Sequence, residues 1–214
     1  MAGVEAILSF KHGVHPEEYK HFTENSPVER MPFAEEYVLP LAQHIGAPSK
    51  SIVNIGDKVK RGQKIAEPGG FVSVALHSPV DGVVIDIRLS ENQSGQMTPC
   101  IFIKTDTYSS QVLHLQPPKP PEEMDSKEFI ASIQESGIVG LGGAAFPAHV
   151  KFAVPEDKKV KHLMLNGCEC EPFLTSDHRT MVEFPDELLD GISILNHHIK
   201  AEKIHIGIED NKPD

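Results

Sequence analysis

The 214-residue chain carries 20 Lys+Arg against 31 Asp+Glu, a net charge of −11 with histidine neutral. So acidic a chain repels a phosphate backbone, which argues against nucleic acid as a partner, and no apolar run approaches the ~18 residues that span a bilayer. Met1 to Lys11 lacks the basic flank and apolar core of a secretory signal, and three cysteines make no disulfide framework, so a soluble protein of the reducing cytosol is expected.

Residues 1–35 read as an irregular N-terminal arm containing His12-Gly13 and Glu24-Asn-Ser-Pro27. Residues 36–110 read as β. Ser51–Ile55, Lys58–Lys60, Lys64–Ala66, Phe71–Leu76 and Val83–Ile87 are short runs rich in β-branched residues. Gly56-Asp57, Arg61-Gly62-Gln63 and Pro79-Val-Asp-Gly82 separate them as turns. That spacing indicates a small all-β barrel or sandwich. Gln116-Pro-Pro-Lys-Pro-Pro121 lies in a stiff linker spanning 111–124.

The period changes after the linker. Asp125 with Glu128 forms a capping-box signal, and Phe129, Ile130 and Ile133 give one apolar face before Gly137 stops the helix. His162–Leu165 reads as a strand, Pro185–Ala201 as a helix and Lys203–Ile208 as a second strand. Strand, helix, strand predicts a βαβ unit, so 125–214 is expected to be a partial α/β domain, cut off just after a strand.

Two loops in this half carry chemistry. Gly137, Gly140, Gly142 and Gly143 with Lys151 suit a backbone cradle for an anion. Neither the Gly-x-Gly-x-x-Gly nor the Walker spacing is met, so a tight packing loop is an equal reading. Asn166, Glu169 and Glu171 follow the first α/β strand, where open α/β sheets bind ligands. A solvated acidic turn explains them as well.

Asn54–Glu67 followed by His77-Ser-Pro-Val-Asp-Gly-Val-Val84 resembles the barrel-sandwich of lipoyl and biotinyl carriers. Such carriers present a modifiable lysine at a hairpin tip. Counting back from Ser78 puts that tip near Gly70 and Phe71, and no lysine lies between Lys64 and Ser78. A swinging-arm role is therefore rejected in favour of a structural or docking barrel.

Gly140-Leu-Gly-Gly-Ala-Ala-Phe-Pro147 with Lys151, then Asn166-Gly-Cys-Glu-Cys-Glu-Pro172, resembles the flavin signature of the complex I flavoprotein. With Phe10-Lys-His-Gly-Val-His-Pro16 ahead of the barrel, the chain is similar to the RnfC family of Rnf-type electron-transport complexes. The resemblance implies an α+β multidomain protein: a lipoyl-like barrel followed by a truncated Rossmann-like domain that binds FMN and NAD(H). It implies that Gly140, Gly142, Gly143 and Lys151 hold FMN and that Asn166 and Glu169 hydrogen-bond the flavin. Phe146 and Glu171 would face the nicotinamide nucleotide, with Glu209 and Asp210 in a lesser role.

This sequence departs from the family pattern at three positions: Leu141 stands for an arginine, Cys168 for an aspartate and Ala145 for a glycine. If residue 145 needs positive φ, its β-carbon costs about 1–2 kcal/mol. The family also carries [4Fe–4S] clusters, which need four thiolates each. Cys100, Cys168 and Cys170 cannot supply them. The implied role is a peripheral electron-transfer subunit on the cytoplasmic face of the membrane, without a span of its own. It would be held by other subunits and would meet ferredoxin or another electron carrier. Two alternatives stand beside it: a non-catalytic docking module, and metal binding through Cys168, Cys170 and His178. No catalytic residue is assigned.

Overall fold

A computed structural model describes residues 16–92, 94–113, 119–155 and 157–212. The Phe10–His15 part of the arm motif and residues 116–118 of the proline run lie outside the described residues. Contacts divide the chain into two compact units, one of residues 31–160 and 194–200 and one of residues 16–30, 161–193 and 201–212.

The first unit contains the barrel. One sheet has the order β1-β7-β6-β3, from Glu36–Pro40 (β1), Lys58–Val59 (β3), Gly82–Glu91 (β6) and Met97–Thr105 (β7). The other has the order β2-β4-β5, from Lys50–Ser51 (β2), Lys64–Glu67 (β4) and Leu76–His77 (β5). The strand pairs of both sheets are antiparallel throughout. The register of β6 on β7 slips between Val84 and Asp86, a bulge of the kind that bends a strand and helps a small sheet curl. Val59, Ile65, Val80, Val84, Ile101 and Ile103 are fully or almost fully buried in the common core. Each contributes about 1.5–3 kcal/mol through burial.

The expected strand at Phe71–Leu76 is a loop up to Ala75, with β5 confined to Leu76–His77. Ser51–Ile55 contributes only its first residue, to Lys50–Ser51. The outer strand β1 and the central strand β7 of the larger sheet lie outside the runs picked out by composition.

The turn at Asp81 is tied by a polar knot. Its buried carboxylate accepts the Ser109 hydroxyl, the Arg61 N–H at 2.7 Å and the Lys60 ammonium at 3.2 Å. The Gln111 amide oxygen accepts the Asp81 N–H at 2.7 Å. The Ser109 hydroxyl foremost, then the Arg61 N–H, against the penalty of burial, hold the Asp81 carboxyl down at about 2.

The helix Ser126–Glu135 (α1) carries the expected capping box: Asp125 accepts the Lys127 and Glu128 N–H groups, and Glu128 accepts the Asp125 N–H at 2.9 Å. Its apolar face, Phe129 and Ile133, packs with Ala148, Phe152 and Ile194. Its far end grips the barrel. The Gln134 side-chain amide donates to the carbonyls of Gly70, Phe71 and Ser73, and the Gln134 carbonyl accepts the Ala75 N–H at 3.1 Å. His149, fully buried on Ala148–Phe152 (α2), contacts the Phe71 carbonyl at 2.7 Å. The hairpin tip where a carrier would offer its lysine is here the point at which the barrel meets the following helices. Gly137 completes the seam at φ +77, where a β-carbon would stand 2.7 Å from the Ala75 carbonyl oxygen.

The second unit holds a parallel strand pair, His162–Asn166 (β10) and Lys203–Gly207 (β11), in the register His162↔Lys203 to Asn166↔Gly207. Ser176–Glu183 (α3) and Pro185–Ile199 (α4) intervene in sequence, which makes the expected βαβ order with one helix more than expected. The arm residues Tyr19, Thr23 and Val28 belong to this unit. The Thr23 hydroxyl donates to the Phe173 carbonyl at 2.6 Å, Phe173 N–H to the Glu18 carbonyl at 2.9 Å, and Val28 N–H to the Glu183 carboxylate at 3.1 Å.

Candidate functional site

Val139–Gly140 (β8) and Phe146–Pro147 (β9) pair antiparallel, which makes the glycine segment a hairpin with residues 141–145 as its loop. Gly142 and Gly143 are exposed, and a β-carbon at either would meet nothing within 4 Å. Their backbone therefore faces open space. A β-carbon at Gly140 would stand 3.1 Å from the Lys151 Nζ, so the missing side chain lets that ammonium lie against the hairpin. The same Nζ is 6.0 Å from the centre of the partly buried Phe146 ring. Leu141 is 86 % exposed at the loop, an apolar residue where the resemblance has a cation. Ala145 sits at φ +50, the left-handed conformation that favours the family's glycine. Exposed backbone beside one ammonium fits a phosphate group, which answers in favour of FMN at this loop.

The acidic loop is built differently. Asn166 ends β10, exposed, with its side-chain oxygen accepting the Cys168 N–H at 3.2 Å. From there exposure alternates: Cys168 and Cys170 face out, and Glu169 between them is 2 % exposed. The Glu169 carboxylate accepts the Asp177 N–H at 2.7 Å, the His178 N–H and Ser176 hydroxyl at 3.3 Å, and the Lys212 ammonium at 3.3 Å. Burial disfavours its charge, but the Asp177 and His178 N–H groups and Lys212 together hold its pKa below the usual carboxylate value. Burial and the neighbouring Glu169 charge push Asp177 up. Glu209, offered from sequence as a ligand residue, pairs with Lys212 at 2.7 Å; Asp210 and Glu171 are exposed.

The structure thus joins Gly140, Phe146 and Lys151 in one unit and Glu169 with Glu209 in the other. It adds two residues that sequence reading missed. Lys20 and Lys212 are buried beside the acidic loop, and the only local signal was the three-residue step from Glu209 to Lys212. Metal binding through Cys168, Cys170 and His178 gains no geometric support. Both thiols are exposed, His178 is buried, and among the described residues no three His, Cys, Asp or Glu side chains gather as a ligand set.

Comparison with known proteins covers the same ground. Residues 8–108 match the RnfC barrel sandwich hybrid domain, and residues 133–214 match the Nuo51 FMN-binding domain. The chain is 42 % identical over 207 residues to the C subunit of the proton-translocating ferredoxin:NAD(+) oxidoreductase complex of Clostridium ljungdahlii. It is 40 % identical over 206 residues to the C subunit of the Na(+)-translocating ferredoxin:NAD(+) oxidoreductase complex of Acetobacterium woodii. The chain belongs to the RnfC family, the C subunits of ion-translocating oxidoreductase complexes.

The alignments cover 97 % and 96 % of this chain but 45 % and 46 % of those two relatives, so it spans about half their length. An RnfC relative from Haemophilus influenzae is 36 % identical over 210 residues, which are 97 % of this chain and 25 % of that protein. The FMN-binding match takes in both the glycine hairpin and the acidic loop. Among the described residues of this RnfC family member, no helix is long and apolar enough to cross a membrane.

Proposed function

We propose that this chain binds FMN and NAD(H) and passes electrons between nicotinamide and iron–sulfur centres, as a peripheral subunit of a membrane-bound ferredoxin–NAD oxidoreductase complex. The observation that carries the reading is the glycine hairpin. Gly142 and Gly143 offer unobstructed backbone, and Lys151 lies against Gly140. Backbone N–H groups and one ammonium bind a phosphate without crowding a flat ring beside it. Bound FMN supplies the conversion between a hydride pair and single electrons.

The residues of the chain bind and orient. Gly140, Gly142, Gly143 and Lys151 take the FMN phosphate and ring edge. Asn166, exposed at the end of β10, offers its side-chain amide to the flavin. Glu169 acts on the ligand through the loop it holds, because its own carboxylate oxygens are occupied within the chain. Phe146 and the outward Glu171 serve the nicotinamide nucleotide, with Glu209 and Asp210 beside the following strand. Hydride transfer between stacked rings needs no general acid or base, so no residue is given that role. The parallel β10–β11 pair supports a Rossmann-like sheet for this part, with the barrel and its linker as the preceding domain.

The rest follows by analogy with the relatives' names. Other subunits of an ion-translocating complex hold the chain at the cytoplasmic face of the membrane, ferredoxin is the carrier, and the [4Fe–4S] centres use ligands outside these residues. The test is reduction. When NADH is added anaerobically to the FMN-loaded chain, the visible absorption band of oxidised flavin should bleach. An unchanged band with FMN still bound would overturn the hydride role.

A further inference from the structure

We propose that Lys20 and Lys212 are positioning residues for cofactor binding, two buried ammonium groups that set the shape of the loop from Asn166 to Leu174. The inference rests on the flavin reading above and names what holds one of its two loops.

An ammonium has three donors and no acceptor. All three donors of Lys20 are spent on one loop: its Nζ donates to the carbonyls of Glu169, Glu171 at 3.1 Å and Leu174 at 2.8 Å. Backbone oxygens that converge on one cation require the chain to curl around it. Lys20 is 8 % exposed, so the cation is taken out of water to do this. Desolvating an ammonium is costly unless every donor is satisfied. Here each one is.

The second ammonium works on the side chain. Lys212, whose side chain is 4 % exposed, bridges Glu169 at 3.3 Å and Glu209 at 2.7 Å. Burial opposes its charge, but Glu209 and Glu169 raise its pKa above the ordinary lysine value. Glu169 also caps the start of α3, so one inward carboxylate joins the acidic loop, α3 and the segment after β11. The inward turn of Glu169 is what sends Cys168 and Cys170 outward on either side.

The arm is fixed in the same act. Tyr19 and Phe173 stack at 4.9 Å with their planes 10° apart, and both hold positive φ, +51 and +67. Non-glycine residues keep that conformation only where their surroundings over-determine it. Lys20 follows directly after Tyr19, and the Phe173 N–H is bound to the Glu18 carbonyl. Three segments far apart in sequence therefore fix one loop.

FMN affinity of the full chain, read by flavin fluorescence at a temperature where far-UV circular dichroism shows each variant folded, tests this. Lys20→Met and Lys212→Met should each raise the FMN Kd at least tenfold, whereas Lys50→Met on β2 should leave it unchanged. Lys20→Arg, which keeps the charge, should recover part of the loss.

The pH profile separates positioning from mere stability. Glu169 is faced by Lys212 and, across it, Glu209; by Asp177 and His178 on α3; by Lys20 from the arm; and by Glu171 on its own loop. In the unsubstituted chain Glu169 stays ionised and affinity should be flat between about pH 5 and 7, above its lowered pKa. Without Lys212 its pKa rises, so the affinity of Lys212→Met should fall as pH drops through that window. Glu169→Gln keeps an acceptor for α3 without the titration, and should abolish the pH dependence in the Lys212→Met background.

Folded lysine variants with unchanged Kd and a flat profile would overturn the proposal while leaving FMN binding intact. An unsubstituted chain that is folded and binds no FMN would overturn the flavin reading and this inference with it.

Discussion

Ala145 holds φ +50 in a hairpin where the complex I flavoprotein signature has glycine. A β-carbon there costs about 1–2 kcal/mol, and the greater freedom of a glycine in the unfolded chain returns about 0.5–1 kcal/mol of that. Ala145→Gly should therefore stabilise the chain by up to about 1 kcal/mol, seen as a higher Tm; a lower Tm would contradict the strained geometry. Asp81 gives a pH prediction of definite sign. Its folded carboxyl is held at about 2 against an ordinary 3.8, so its contribution is complete above the higher value and is lost as pH falls from 3.8 towards 2. Thermal melts should show Tm dropping through that window. Asp81→Asn should flatten that part of the profile and lower Tm at neutral pH, where the Arg61 N–H and Ser109 hydroxyl lose a charged acceptor.

At the scale of elements, the seam between the barrel and α1 rests on very few groups. Gln134 alone supplies three side-chain hydrogen bonds to the tip loop. Gln134→Leu leaves those carbonyls without that donor and should cost about 1–3 kcal/mol in a denaturant melt; a change within error would mean that these bonds do not hold the seam. Gly137→Ala should cost more than Gln134→Leu, since it meets both the positive φ and the Ala75 oxygen at 2.7 Å.

These elements also show what is legible in a sequence. α1 is readable because its signals are local: Asp125, Glu128 and the apolar spacing lie within one turn or two of each other. β7 is not, because its buried run Cys100–Ile103 interrupts the alternation that marks a half-buried strand, and Pro99 stands inside it. The Phe71–Leu76 run has strand composition, yet its backbone groups are taken by Gln134 and His149 from elsewhere in the chain. For the candidate site the same rule holds. The glycine hairpin is visible in composition, whereas the inward turn of Glu169 depends on Lys20, 149 residues away, and on Lys212, 43 residues away.

Over the whole molecule, a charge of −11 argues against nucleic acid, yet the cations that remain are placed with purpose. Two lysines are buried to shape one loop, and a third lies against the glycine hairpin. The division into two compact units groups the glycine hairpin with the barrel and the acidic loop with the arm. The linear order of barrel, linker and α/β segment gives no hint of that partition, because it depends on where residues 16–30 and 194–200 return in space. The chain spans about half the length of its clostridial and acetobacterial relatives, so the central claim concerns what these residues do themselves: bind FMN.

That claim is tested most directly by titrating FMN with the full chain and following the quenching of flavin fluorescence. Saturable one-to-one quenching is expected, weakened at least tenfold in Lys151→Ala, a loss of about 1.4 kcal/mol or more. A demonstrably folded chain that leaves FMN fluorescence unquenched at tens of micromolar, or a Lys151→Ala variant that binds as tightly as the unsubstituted chain, would contradict it.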